Sequence, residues 1–112
     1  MAFIKAIVKR PEEEYGHMCN ISDRLSALQM NVGGYIETVT IDSKVTIICD
    51  EEGRLKGYEP CGYVGGVHFV GTIIAVGWDK KGSFTDIPIS MKEWKEKYFT
   101  REEEINANHF SF

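Results

Sequence analysis

A change of periodicity at Gly33 and Gly34 constrains the fold of this chain more than any other stretch. Apolar residues recur with helical spacing before the two glycines, and after them residues 35–41 alternate as a strand does. Ser22 suits the N-cap position and Gly33 the left-handed position after a helix, so the pattern predicts a helix over residues 23–32. The apolar stripe of this helix consists of Leu25, Leu28 and Val32.

Further strands are predicted on both sides of this unit. Stretches with alternating or β-branched residues lie at residues 3–9, 15–22, 35–41, 44–50, 67–78 and 83–89. Residues 50–53 and 79–82 are predicted to be hairpin loops, with Gly53 at positive φ. Residues 54–60 then return as a partner segment, and residues 61–66 form a glycine-rich connector. The sequence thus predicts an α+β fold, with one helix packed on a mostly antiparallel twisted sheet of five or six strands.

The most apolar run, residues 67–78, is predicted to be a strand near the centre of the sheet. Small residues share one of its faces, at Gly71, Ala75 and Gly77. Residues of this size allow a helix or another backbone segment to approach closely.

The C-terminal part of the chain has a helical pattern. Ser90 and Glu93 have the spacing of a capping box, which predicts a helix over residues 91–99. Its apolar stripe consists of Met91, Trp94 and Tyr98. We divide the chain into an α+β core over residues 1–90 and a helical extension of the same domain over residues 91–112. The aromatic tail is expected either to dock on its own domain or to pack against a second subunit.

Composition argues against several classes of partner. The 112 residues carry a formal net charge of −4, whereas a nucleic-acid-binding protein usually has a basic face. No stretch approaches the roughly 18 apolar residues of a membrane-spanning helix, and residues 1–10 are too mixed for a secretory signal. The three cysteines cannot all pair in disulfides within the chain, so with no secretory signal a reduced compartment is the default expectation. We therefore expect a cytoplasmic protein with no membrane or nucleic-acid partner.

The double glycine is not predicted to bind phosphate. In a phosphate cradle the glycines enter a helix, so that free N–H groups at its positive end meet the anion. Gly33 and Gly34 instead follow the helix, at its negative end. We therefore interpret the pair as a helix C-cap and a sharp turn.

Glu37 is the unusual side chain of the strand that follows, because alternation places it on one face with Tyr35 and Val39. A charge on a buried face needs a partner, a shifted pKa or access to water. Two interpretations stay open. In the first, the carboxylate pairs with Arg54, Lys56 or a backbone amide, or lies at a strand end open to water. In the second, it lies in a cleft and orients a ligand.

Residue spacing indicates neither a metal site nor a nucleophile. The His and Cys residues have no spacing typical of zinc ligands, so neither a metal nor a cofactor is predicted. Cys49 lies in an apolar strand and is predicted to fill the core. Cys61, beside Gly62 in a predicted loop, is the one thiol that could be reactive, and the role of Cys19 stays open. We expect the chain to be non-catalytic.

The candidate binding residues are aromatic, charged or glycine residues in and near the predicted loops. Aromatic rings stack on ligands, and tyrosine hydroxyl groups donate hydrogen bonds. Paired glycines suit a mobile rim over a site. The predicted binding residues are Tyr35, Glu37, Arg54, Tyr63, Gly65, Gly66 and His68.

Three stretches together resemble an uncharacterised domain family of bacterial genomes, phages and plasmids. They are LQMNVGGYIETVTI, IICDEEGRLKGYEP and GGVHFVGTIIAVG. The family pattern is a helix ending in Leu-Gln, then Val-Gly-Gly-Tyr-Ile-Glu, a strand, an EEG(K/R)L hairpin and a later VGT strand. The resemblance covers residues 3–90 and leaves the C-terminal helix outside. It implies a phage or mobile-element context and brings no known activity or catalytic residue.

On these grounds we expect a small non-catalytic binding protein of a phage or mobile element, located in the cytoplasm of the bacterial host. In one version of this hypothesis, the protein counters a host defence factor, either by binding a host protein or by sequestering a small nucleotide. Two alternatives stay open. The first is a small enzyme with Glu37, Cys61 or His68 in a cleft. The second is a structural domain that forms a homo-oligomer through its C-terminal segment.

Overall fold

The computed structural model describes residues 3–104, which form two antiparallel sheets and several short helical segments. The elements are β1 (Phe3–Lys9), β2 (His17–Ser22), α1 (Leu25–Val32), β3 (Ile36–Thr40), β4 (Thr46–Asp50), β5 (Pro60–Val64), β6 (Val67–Val70), β7 (Ile73–Trp78), β8 (Phe84–Thr85), α2 (Met91–Glu93), a π-helical segment (Trp94–Tyr98) and β9 (Phe99–Thr100).

The larger sheet has the order β2-β1-β7-β4-β3, with β8 paired to β7, and the smaller sheet has the order β6-β5-β9. All of these pairings are antiparallel. The predicted α+β fold with a mostly antiparallel sheet is confirmed, and the smaller sheet is the part that the pattern did not predict. The central strand of the larger sheet is β7, which agrees with its apolar sequence. A Cβ at Gly77 would lie 2.5 Å from the Asp86 carbonyl oxygen, so a backbone segment does approach closely there.

Both faces of the larger sheet are covered, which explains why β4 and most of β1 and β7 are buried. Helix α1 covers one face through Leu28 and Val32, which pack with alternate strand residues: Ile4, Ala6, Val8, Ile48, Ile74 and Val76. The smaller sheet and the C-terminal segment cover the opposite face. That layer of the core includes Ile7, Ile47, Ile73, Ala75, Val64, Phe69, Trp94 and Phe99.

Helix α1 begins later than the sequence predicts. Arg24 holds the N-cap position without a side-chain cap, and Ser22 lies outside, where its Oγ accepts a hydrogen bond from the Arg24 N–H at 3.2 Å. Leu25 is 57% exposed, so only the other two residues of the predicted stripe face the sheet. The predicted C-cap is correct, since Gly33 has φ +95° and its N–H donates to the Gln29 carbonyl at 2.7 Å.

The segment between β4 and β6 differs most from the prediction. Residues 51–57 form successive turns, and no return strand pairs with β4 there. Gly57, not Gly53, has a positive φ, of 72°. The predicted connector at residues 61–66 is the strand β5 and the turn that joins it to β6. Glycine-rich composition misled the prediction because Gly62 sits inside a strand, where the ring of Phe99 occupies the space of a side chain.

Residues 67–78 form two strands instead of one, and Gly71 separates them. Its φ of +74° breaks the extended conformation, and a Cβ there would lie 2.5 Å from the Tyr58 ring. This break sends β6 to the smaller sheet and β7 to the centre of the larger one. The run is apolar on both sides of the break, so hydropathy alone does not locate it.

The C-terminal segment begins as predicted, with Ser90 Oγ accepting a hydrogen bond from the Glu93 N–H at 3.1 Å. It continues as a π-helical segment and then pairs with β5 through β9. Trp94 is fully buried, and Tyr98 donates to Asp42 Oδ2 at 2.6 Å. None of the helices formed by residues 3–104 is long and apolar enough to cross a membrane. The predicted docking of the aromatic tail concerns residues outside the described part of the chain.

Candidate functional site

An open cleft of about 270 Å³ lies between the β3–β4 pair, the turns of residues 51–57 and strand β6. Its apolar side chains include the nearly buried Cys49 and Phe69 together with the half-buried Val39 and Val70. Leu55 is 87% exposed at the rim. The polar groups of the lining include Glu37, Glu51, Arg54 and His68.

Three of the predicted binding residues, Glu37, Arg54 and His68, line this one cleft. Tyr63 is adjacent to it, because its ring lies 4.8 Å from the His68 ring, centroid to centroid. Tyr35 is 69% exposed and lies outside the lining. The two predicted glycines lie in the turn between β5 and β6, away from the lining residues. The structure therefore brings Glu37, Arg54 and His68 together in one cleft. Gly65 and Gly66, which were predicted to form a rim over the site, do not line it.

The Gly65–Gly66 turn has a structural role. The Gly65 N–H donates to the Tyr98 carbonyl at 3.0 Å, and a Cβ on Gly65 would lie 2.5 Å from the Ile41 side chain. This contact joins the turn to the C-terminal segment and to the end of β3. The glycine at this position thus permits close packing.

The Glu37 carboxylate lies at the cleft and forms no hydrogen bond or ion pair with any residue of the described part of the chain. Both basic partners considered for it are bound elsewhere. Arg54 donates to the His68 carbonyl at 3.0 Å, and Lys56 donates to Asp50 Oδ2 at 2.7 Å. The Glu37 carboxylate is exposed, so water solvates it and a ligand can reach it.

His68 connects the cleft to the C-terminal segment. Its Nε2 lies 2.8 Å from Glu102 Oε1, and its Nδ1 lies 3.4 Å from Arg54 Nη2. These contacts fix the ring between an acidic and a basic group. Glu102 was not among the predicted residues, because an acidic run at the end of a helix gives no signal of a partner 34 residues away.

The thiols are unsuited to nucleophilic chemistry. Burial, together with the charges of Glu37 and Asp50, raises the pKa of Cys49 to about 11. Cys61, predicted to be the candidate reactive thiol in a loop, is instead buried in β5, and burial raises its pKa to about 12. Burial also raises the pKa of Cys19. Thiolate is the reactive form, so these side chains are inert at neutral pH. Residues 3–104 hold no group of three His, Cys, Asp or Glu side chains placed to bind a metal ion.

The lining of the cleft also includes a buried carboxylate, Asp50, which lies next to the double glycine. Asp50 Oδ2 accepts hydrogen bonds from Lys56 Nζ at 2.7 Å and from the Tyr58 hydroxyl at 2.9 Å. Lys56 also donates to the Gly33 carbonyl at 3.2 Å, where a cation stabilises the negative end of α1. A Cβ on Gly34 would lie 2.8 Å from Asp50 Oδ2. The glycine pair is thus a corner that makes room for this cluster.

Replacing Gly33 by alanine is expected to lower the free energy of unfolding by about 2 kcal/mol. The φ of +95° disfavours a side chain, and the new Cβ would lie 2.6 Å from the Tyr58 hydroxyl oxygen. Gly66→Ala is the matched control, because Gly66 has φ +82° but no described atom within 4 Å of the Cβ position. Urea denaturation measures both, and we expect the control to lose about 1 kcal/mol. Equal losses would contradict the crowding by Tyr58.

Comparison with known families gives one match. The model of the family described as "Domain of unknown function (DUF3846)" matches residues 4–99. The match extends beyond residue 90, so it includes the C-terminal helical segment that the sequence resemblance leaves outside. No curated protein and no solved structure matches the chain.

Proposed function

The chain belongs to the family described as "Domain of unknown function (DUF3846)", and we propose that it is a non-catalytic binding protein of a phage or other mobile element. The supporting observation is the convergence of Glu37, Arg54 and His68 on one open cleft. Binding sites typically combine an apolar lining with a few convergent polar groups. The proposed partner is a factor in the cytoplasm of the bacterial host.

A binding role agrees better with the cleft chemistry than an enzymatic role. Cys49 is protonated at neutral pH because its pKa is raised to about 11. His68 has Glu102 at one ring nitrogen and Arg54 near the other, so neither nitrogen faces a nucleophile in the described part of the chain. Nucleophilic catalysis needs a nucleophile and its base within hydrogen-bond reach of each other.

The charges of the cleft favour a protein partner over a nucleotide. Glu37, Asp50 and Glu51 all line the cleft, whereas Arg54 is the lining residue with a permanent positive charge. Phosphate groups bind where cations and free N–H groups dominate. A volume of about 270 Å³ is also just below the roughly 300 Å³ at which small-molecule pockets begin. The cleft thus suits one neutral or cationic side chain of a larger partner.

Affinity capture from a bacterial lysate tests the proposed function. We expect Glu37→Gln and Glu51→Gln each to weaken binding of the captured host protein by about tenfold or more, measured by calorimetry with the purified partner. Glu96→Gln is the matched control, since Glu96 is exposed on the π-helical segment, outside the lining.

Three results discriminate among the alternatives. Unchanged affinity in both cleft variants would exclude the cleft as the binding site. Tight binding of nucleotides, measured by the same calorimetric method, would favour the hypothesis that the protein sequesters a small nucleotide. If neither cleft variant captures a protein that the unmodified chain captures, identification of that protein decides whether the host factor belongs to antiviral defence.

A further inference from the structure

Strand β3 has an open outer edge. It is the last strand of the larger sheet and pairs only with β4 among residues 3–104. The pairing runs without a bulge from Ile36 opposite Asp50 to Thr40 opposite Thr46. Natural proteins usually protect such an edge with lysine, proline or a bulge. Residues 36–40, with the sequence IETVT, contain none of these, and their one charged side chain, Glu37, faces the cleft.

The alternation of the ladder shows which backbone groups face outward. The Tyr35 carbonyl accepts from the Glu51 N–H at 3.0 Å, and the Ile41 N–H donates to the Val45 carbonyl at 2.9 Å. Because hydrogen-bonded pairs alternate along an antiparallel ladder, residues 35, 37, 39 and 41 direct their backbone groups toward β4. Ile36, Thr38 and Thr40 therefore direct their N–H and C=O groups away from the sheet.

The open edge and the cleft belong to one surface. The side chains of Glu37 and Val39 line the cleft, while the residues between them direct their backbone groups outward. A strand added at this edge would place every second side chain next to the cleft. Glu37 and Glu51 are exposed there and form no ion pair within the described residues. Tyr35, which is exposed on the same face of the strand, adds an aromatic contact.

We propose that an extended segment of the partner protein adds to the outer edge of β3 as an antiparallel strand and places a lysine or arginine side chain in the cleft. This inference rests on the proposed function and identifies the mode of binding. The aliphatic stem of the basic side chain lies along Val39 and Val70, and its charged end reaches the Glu37 carboxylate. Arg54 stays at the β6 side, where the His68 carbonyl holds it.

A proline substitution tests the strand addition directly. Thr38→Pro removes an outward N–H on an edge strand, where proline is tolerated, and removes no hydrogen bond to β4. Thr38→Ala is the matched control, because it keeps the N–H. The probe is a fluorescent peptide of alternating valine and lysine, with a peptide of alternating valine and glutamate for comparison. Fluorescence anisotropy reports both affinities.

We expect Thr38→Pro to weaken binding of the basic peptide by about tenfold and Thr38→Ala by less than about twofold. Glu37→Gln is expected to reduce the preference for the basic peptide by about fivefold. The proline and alanine variants have the same charge, so a difference between them excludes non-specific attraction. Equal affinity of these two variants, equal affinity for the two peptides, or no binding of the basic peptide would overturn the proposal.

If the proline variant fails to fold, amide hydrogen exchange of the unmodified protein tests the strand addition without any substitution. The amide protons of Ile36, Thr38 and Thr40 are expected to exchange at least about tenfold more slowly when the basic peptide is bound. Unchanged exchange would overturn strand addition. Sedimentation would show whether the unmodified protein forms a dimer that Thr38→Pro disrupts. Such a dimer would identify a second copy of the chain as the added strand and would also overturn the proposal. A captured partner sensitive to Glu51→Gln but not to Thr38→Pro would retain the proposed function and exclude this mode of binding.

Discussion

Replacing Trp94 by alanine is expected to lower the free energy of unfolding by about 4 kcal/mol. The side chain is completely buried, and its ring stacks on Phe99 with the centroids 5.4 Å apart. Its Nε1–H donates to the Tyr15 carbonyl at 2.9 Å. The substitution would therefore leave a large cavity and an unsatisfied carbonyl in the layer between the two sheets. Urea denaturation followed by circular dichroism measures the loss.

Trp94→Phe separates the two contributions. It keeps most of the apolar volume and the stacking but loses the hydrogen bond to Tyr15, so we expect a loss of about 1–2 kcal/mol. A Trp94→Ala loss below about 1 kcal/mol would contradict the packing described here. Because Phe99 begins the strand that pairs with β5, we also expect the alanine variant to loosen the smaller sheet and with it the cleft wall that carries His68.

Replacing Asp50 by asparagine is expected to lower the free energy of unfolding by about 2 kcal/mol at neutral pH. The carboxylate is buried and accepts hydrogen bonds from Lys56, from Tyr58 and from the Glu52 N–H. Removal of one partner of a buried ion pair leaves the other charge uncompensated. The loss stays moderate because the Lys56 side chain is 36% exposed, so water solvates part of the remaining charge.

The effect of this substitution is expected to depend on pH. Burial alone would raise the pKa of Asp50, but the hydrogen bonds from Lys56, Glu52 and Tyr58 outweigh it and hold the pKa below its ordinary value of 3.8. A carboxyl group with a lowered pKa in the folded state stabilises the protein fully above the ordinary value. That contribution decreases as the pH falls through the lower, folded-state pKa.

Urea denaturation of both proteins at a series of pH values checks this dependence. The difference in unfolding free energy between the unmodified protein and Asp50→Asn should be constant near neutral pH and shrink below about pH 4. Lys56→Met serves as a second variant, since it removes the same ion pair from the other side. A difference that grows on acidification would contradict the direction of the pKa shift.

The sequence by itself determined the features that depend on local periodicity. The helix before Gly33, the left-handed C-cap, the first strand and the apolar central strand follow from the local sequence, because each depends on residues within or next to a single element. The sequence also predicted the N-cap of the C-terminal segment, because the Ser90 hydroxyl accepts its hydrogen bond from the N–H only three residues later. Among the site residues, Glu37 was singled out because a charge interrupts an alternating face.

Only the tertiary structure decided how these elements combine into two sheets and a cleft. A positive φ at Gly71 divides an apolar run that reads as continuous, and hydropathy carries no information on backbone dihedral angles. The contact of His68 with Glu102 and the burial of Cys61 arise from segments distant in the sequence. Lys9 is buried as well, with its ammonium bound by the Arg10 and Cys61 carbonyls instead of a carboxylate. Such partners are set by the packing of one layer on another, so no local pattern specifies them.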